Sequence, residues 1–192
     1  MNVELYDYIE FTGSQYIDTG FIVNQNSGFE IDFVPESNIT SSNAPHYLNS
    51  GGTGTATKLS INCYPTYTQG EITFGNIKRN PYLVRDTRMK ISIINKVLTL
   101  DNGNTETLNP TNFSSNSIYI GAVHNTNAPR RSKMKLYSLK LYDGNLLIYD
   151  FKPAKRLSDN VYGLYEAMND VFFTNNGTGT FVPRYTNSCT TY

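Results

Sequence analysis

Turn-forming residues cut this sequence into short apolar or alternating runs, and no helical period survives beyond two turns. Gly28–Val34 shows the pattern clearly. Phe29, Ile31 and Phe33 alternate with Glu30 and Asp32, so one face of a strand is apolar and the other acidic. Pro35 is expected to end it. The composition agrees: Val, Ile, Thr, Phe and Tyr number 69 against 50 good helix formers, and Asn, a turn former, is the most frequent residue at 23. An all-β chain is the expectation.

The same reading places strands along the chain. Leu5–Phe11 and Gln15–Val23 are split by Thr12-Gly13-Ser14, and Lys58–Tyr64 and Glu71–Phe74 follow. Met89, Ile91 and Ile93 alternate and pair with Val97–Leu100 as a hairpin, after which Asp101-Asn102-Gly103 turns the chain toward Thr105–Leu108. Ile118–Val123 is a further strand. Lys133–Tyr142 is the longest, and its apolar phase changes between Leu136 and Tyr137, which predicts a bulge or a strand covered on both faces. Asp143-Gly144-Asn145 turns into Leu146–Phe151, with Pro153 as the expected stop. Val161–Met168 reads as a helical turn or a strand, and Val171–Thr174 and Thr180–Val182 flank Asn175-Asn176-Gly177. Residues 36–57 read as a long polar surface loop with at most one short strand, at His46-Tyr47-Leu48. Residues 1–183 are taken as one domain and residues 184–192 as a polar tail.

Charge and cysteine usage narrow the function classes. The formal net charge is zero with 17% charged residues, so no general attraction to nucleic acid is expected. No apolar run approaches the roughly 20 residues of a membrane helix, and no membrane partner is expected. The opening Met1-Asn2-Val3-Glu4-Leu5-Tyr6 lacks a basic and apolar leader, which gives the expectation of a protein used without export or of one whose leader has been removed. Cys63 and Cys189 read as a buried strand thiol and a tail thiol in preference to a disulfide. His46 and His124 stand outside any metal-ligand spacing, and Asp101–Glu106 lacks the regular oxygen spacing of a calcium loop. No metal and no cofactor are expected.

Two stretches carry a resemblance. One is Tyr8-Ile9-Glu10, Gly13 and Gln15-Tyr16-Ile17-Asp18-Thr19-Gly20. The other is Lys135–Asp143, Asp150-Phe151, Pro153, Gly163-Leu164-Tyr165, Phe172-Phe173-Thr174-Asn175 and Gly177-Thr178-Gly179-Thr180-Phe181. The chain resembles the concanavalin A-like, laminin-G-like jelly-roll domains of bacteriophage structural proteins and bacterial surface proteins. The resemblance implies a two-sheet antiparallel β-sandwich with its terminal strands adjacent. It leaves function open, because such sandwiches serve lectins, glycosidases, adhesion modules and virion parts.

Laminarinase-type glycosidases of this fold carry E-x-D-x-x-E on one strand; Glu30, Asp32 and Glu36 stand one residue too wide, with Pro35 before the third carboxylate. Glu30 and Asp32 are therefore read as a solvent face. Tyr47, Tyr64, Tyr67 and Tyr82 lie in or beside polar, turn-rich segments, and tyrosine offers a flat apolar ring with a hydroxyl. Arg130-Arg131-Ser132-Lys133 is the densest basic run. These tyrosines with Arg130 and Arg131 form the expected binding rim. The sequons at Asn38, Asn112 and Asn176 are taken as chance in so Asn-rich a chain.

The reading that follows is a non-enzymatic virion structural protein: a capsid-decoration, head-fibre or tail-associated domain assembled in the bacterial cytoplasm. Its partners would be other virion proteins, with host-surface glycans as a second class and self-association compatible. The alternative is a carbohydrate-binding module or adhesin at the bacterial surface. A glycoside hydrolase ranks last.

Overall fold

The computed structural model describes residues 1–36, 45–51, 58–63, 70–81, 83–113, 115–123 and 131–185. Among these residues every regular element is a strand: β1 Val3–Leu5, β2 Tyr8–Thr12, β3 Ile17–Ile22, β4 Ser27–Pro35, β5 His46–Asn49, β6 Lys58–Cys63, β7 Gly70–Gly75, β8 Ile77–Arg79, β9 Met89–Ile94, β10 Val97–Thr99, β11 Thr105–Thr107, β12 Ser117–Ile120, β13 Lys133–Asp143, β14 Leu146–Arg156, β15 Val161–Glu166, β16 Val171–Phe173 and β17 Val182–Arg184.

They form two antiparallel sheets in a sandwich. The larger, of eleven strands, runs β11-β10-β9-β4-β13-β14-β15-β16; β2 lies along the first half of β13 with β17 beyond it, and β1 lies along the second half of β14. The smaller runs β3-β12-β5-β6-β7-β8. Alternation explains why they pack. Phe29, Ile31 and Phe33 of β4, Leu136, Leu139 and Leu141 of β13, and Leu59, Ile61, Ile72 and Phe74 of β6 and β7 share one buried cluster. The two layers touch directly where Phe33 meets Tyr47 at 5.3 Å between ring centroids.

Turn chemistry appears where expected. Asn95 and Lys96, at φ 47° and 66°, make the two-residue turn between β9 and β10, a geometry matched to strand twist. The phase change in β13 is a bulge: pairing with β4 shifts between Leu136 and Ser138, which turns the Tyr137 ring onto the outer face.

Several expectations need correction. Pro35 ends its strand as expected, but Pro153 does not. Pro35 closes β4, with its carbonyl accepting the Asp86 amide at 2.8 Å, and Pro153 sits inside β14, with its carbonyl accepting the Tyr6 amide at 2.9 Å. The N–H and C=O of one antiparallel residue point to the same side. Both imide nitrogens therefore face a side where no ladder bond is due: past the start of β9 for Pro35, and at the junction of β13 and β1 for Pro153. Of the two alternatives left open for Val161–Met168, the strand holds, as Val161–Glu166. Residues 45–51, placed in a surface loop, are buried. Arg184, assigned to the tail, belongs to β17, and the Tyr185 ring stacks on Tyr6 at 4.6 Å.

Candidate functional site

Part of the sequence resemblance, Gln15–Thr19 with Asn175–Thr180, meets in one joint between the two sheets. Gln15 is buried; its Oε1 accepts the Thr12 amide at 2.8 Å and the Ser14 amide at 3.3 Å, and its Nε2 donates to the Thr180 carbonyl at 2.8 Å. Asn175 Oδ1 accepts the Tyr16 amide at 3.1 Å, and Asn176 Oδ1 accepts the Asp18 amide at 2.9 Å. Asp18 in turn accepts Ser117 Oγ at 2.6 Å, while Thr19 Oγ1 donates to the Ile118 carbonyl at 2.8 Å. The polar groups of this motif are thus occupied in holding the segment before β17 to β3. The motif is architecture.

The acidic face of β4 is likewise engaged. Glu30 lies between Lys90 at 3.1 Å and Lys140 at 3.2 Å, and Asp32 takes a bidentate contact from Arg88 at 2.8 and 2.9 Å. That guanidinium also stacks 3.7 Å from the Tyr137 ring centroid. Burial, reinforced by the Glu10 charge, holds the Glu36 carboxyl above its ordinary value. Glu30 and Asp32 sit on the outer face of the larger sheet, as expected, each against a cation.

Of the expected binding rim, only Tyr47 and Arg131 fall among the described residues. Tyr47 is fully buried against Phe33, not displayed. The reason is a bulge: β5 pairing with β6 shifts between His46 and Leu48, so Tyr47 and Leu48 both enter the core. Arg131 is half-buried and turned inward, donating from Nη1 to the Ser14 carbonyl and lying 5.0 Å from the Tyr16 ring centroid. Tyr64, Tyr67, Tyr82, Arg130, His124 and Cys189 lie outside the described residues.

The same bulge creates an arrangement absent from the sequence reading. It puts His46 and Asn49 on the outer face of the smaller sheet, directly opposite Asn62 and Ser60 of β6, which in turn oppose Glu71 and Thr73 of β7. Thr73 pairs with Lys78 of β8, and Tyr119 of β12 pairs with Asn49. A polar row therefore crosses five strands. It is buried: His46, Asn49, Ser60, Asn62, Glu71 and Thr73 are each at most 5% exposed.

Most of the row is paired. Glu71 Oε1 accepts Thr73 Oγ1 at 3.2 Å and Asn62 Nδ2 at 3.4 Å, and its other oxygen is ion-paired with Lys78. Asn49 Oδ1 accepts the Gly51 amide at 2.8 Å, which orients the amide so that Nδ2 donates to His46 Nδ1 at 3.0 Å. His46 Nδ1 is then the acceptor of that bond. Burial, aided by the Asp18 charge, pushes the Tyr119 hydroxyl up. The Ser60 hydroxyl and Asn62 Oδ1 are enclosed without a hydrogen-bond partner. The signal for this row was the alternation of Ser60 and Asn62 with Leu59 and Ile61, and of Glu71 and Thr73 with Ile72 and Phe74. Among the described residues no group of three or more His, Cys, Asp or Glu is placed to hold a metal ion, and no helix is long and apolar enough to cross a membrane.

Fold and site together define an all-β, two-sheet antiparallel sandwich with one ion-paired outer face and one enclosed polar face. No protein-family model matches the chain, and no curated protein matches it. Among solved structures it is similar to a mutant of Trypanosoma rangeli sialidase displaying trans-sialidase activity, at TM-score 0.42 and 15% identity, over 62% of this chain and 21% of that one. The chain spans about a fifth of that structure's length.

Proposed function

We propose that this chain is a non-enzymatic bacteriophage virion domain of the concanavalin A-like kind, acting through contact with other virion proteins. The observation that carries the non-enzymatic part is the state of the β4 carboxylates. A retaining glycosidase needs two carboxyl groups about 5–5.5 Å apart, one available as acid and one as nucleophile. Here Asp32 has both oxygens on Arg88, and Glu30 lies between two lysines.

The virion part is supported by the resemblance. Its Gln15–Thr19 and Asn175–Thr180 stretches build a hydrogen-bonded joint between the two ends of the chain, which suits a stiff module displayed on a particle. The contact assigned in the sequence to Arg130 and Arg131 cannot use Arg131 without breaking its bond to Ser14. The proposal therefore places the partner elsewhere on the sandwich. Proteomics of purified particles from the source culture tests it. The protein is expected in many copies per particle, and its absence from particles would overturn the reading.

A further inference from the structure

We propose that the Asn102-Gly103 turn is a self-modification site, where the asparagine cyclises and hydrolyses to aspartate and isoaspartate, while the fold protects the chain's other Asn-Gly step, Asn176-Gly177. The inference goes beyond the virion reading and does not depend on it.

The chemistry needs only the chain and water. The Gly103 nitrogen attacks Asn102 Cγ and a C–N bond forms. The Cγ–Nδ2 bond breaks, and the side-chain nitrogen leaves as ammonia with the proton given up by the glycine nitrogen. Water then opens the five-membered imide. Opening at Cγ gives aspartate; opening at the Asn102 carbonyl gives isoaspartate, whose main chain runs through Cβ and Cγ. Asparagine is among the thermolabile residues, and a following glycine leaves the attacking nitrogen uncrowded because it lacks Cβ.

The sequence gives the two Asn-Gly steps equal standing, and the fold separates them. Asn102 and Gly103 are exposed in the turn from β10 to β11. Gly103 has φ 82°, and nothing lies within 4 Å of the place a Cβ would take. Its restraints are local: the Gly103 amide donates to the Leu100 carbonyl at 2.9 Å, and Asn102 Oδ1 accepts the Asn104 amide at 3.0 Å. Opening of residues 100–104 alone releases both. Asn176 is tied across the molecule. Its Oδ1 accepts the Asp18 amide at 2.9 Å, and its amide donates to the Tyr16 carbonyl at 2.8 Å. The Gly177 amide donates to Asn175 Oδ1 at 2.7 Å, and the place of a Gly177 Cβ is filled by Arg131 Nη1 and the Ser14 carbonyl. Asn176 Cγ can reach the Gly177 nitrogen only after this segment has left β3.

The modification acts on a tie between the sheets. Either product adds negative charge beside Asp101, and isoaspartate lengthens a turn that the Leu100 amide closes on the Asn104 carbonyl at 2.9 Å. The next strand, β11, carries Glu106, which accepts from Arg79 Nε of β8, in the other sheet, at 2.7 and 2.9 Å.

The test incubates the full native chain at mildly alkaline pH, maps its peptides by mass spectrometry over time and confirms isoaspartate by isoaspartyl methyltransferase labelling. Conversion at Asn102 should run about tenfold or more faster than at Asn176, because only the second needs the joint to open. In concentrated guanidinium chloride the difference should vanish. Gln15→Leu, which loosens the joint, should speed conversion at Asn176 and leave Asn102 unchanged; if that variant fails to fold, the native and denatured wild-type chains decide. Equal conversion at the two sites in the native chain would overturn the proposal. So would a difference that persists in denaturant, or an Asn102 that stays intact in the native chain while converting in the denatured one. The readout is the isolated chain's own covalent structure, so this outcome and the particle proteomics succeed or fail separately.

Discussion

Replacing Gln15 with leucine should unfasten the joint between the two ends of the sandwich. The side chain is 1% exposed and makes four hydrogen bonds: it accepts from the Thr12 and Ser14 amides, donates to the Thr180 carbonyl and shares a bond with Thr12 Oγ1 at 3.0 Å. Leucine has similar volume, so the change isolates hydrogen bonding from cavity formation. Net loss runs near 1 kcal/mol per bond, more where a partner stays buried, for a total of about 3–4 kcal/mol. At roughly 2–4 °C per kcal/mol for a chain of this size, the melting temperature should fall by about 10 °C. Gln15→Glu is the control. It keeps the acceptor for Thr12 and Ser14 and loses the donor to Thr180, so it should fall between wild type and leucine. Urea titration gives the free energy, and amide exchange locates the effect. Protection should drop first at Asn176 and Thr178, whose amides bond the Tyr16 and Ser14 carbonyls at 2.8 and 3.1 Å. A Gln15→Leu loss below about 1 kcal/mol, or unchanged exchange at Asn176 and Thr178, would refute the view that this motif is a structural joint.

Two further outcomes follow from carboxylates that hold turns and ends. Glu166 is fully buried; burial alone would raise its pKa, but the amides of Asp150, Met168 and Asn169 and the Asn169 side chain outweigh burial and hold it below the ordinary 4.5. Its stabilisation is therefore complete above 4.5 and lost as pH falls below that value, and urea titration of Glu166→Ala at neutral pH should show a loss of about 2–4 kcal/mol that shrinks on acidification. Glu4, bonded by Lys155 at 2.7 Å, Tyr185 at 2.7 Å and Tyr6 at 3.0 Å, is held down to about 2, so the tie between β1 and Tyr185 should persist from neutral pH through 4.5 and release as pH approaches 2, followed by the NMR shifts of the Tyr185 ring.

Much of the fold was legible because its signals are local. The β4 alternation, the Asn95-Lys96 turn and the phase slip at Tyr137 each declare themselves within a few residues. The misreadings were all non-local. A proline stops a strand only where its missing N–H was due to a neighbour, and whether Pro153 faces one depends on where β13 gives way to β1. Tyr47 looked like a display residue because polar sequence surrounds it; a one-residue bulge decides which face it takes, and that bulge arises only against β6. Arg131 looked available because its partner, the Ser14 carbonyl, is 117 residues away.

The two outer faces show why the polar row escaped notice and why it matters. On the larger sheet, polar positions of alternating strands meet opposite charge: Glu30 with Lys90 and Lys140, Asp32 with Arg88. Such pairs tolerate partial exposure and contribute little individually, so the face is solvated and needs no ligand. On the smaller sheet the alternation is the same, but Ser60 and Asn62 carry short neutral groups, which cannot reach outward as lysine or arginine can. Once enclosed, they depend on whatever lies directly against them. The Ser60 hydroxyl and Asn62 Oδ1 have no hydrogen-bond partner, while Asn62 Nδ2 is bonded to Glu71. The difference between the faces is thus one of reach and enclosure, which alternation does not encode.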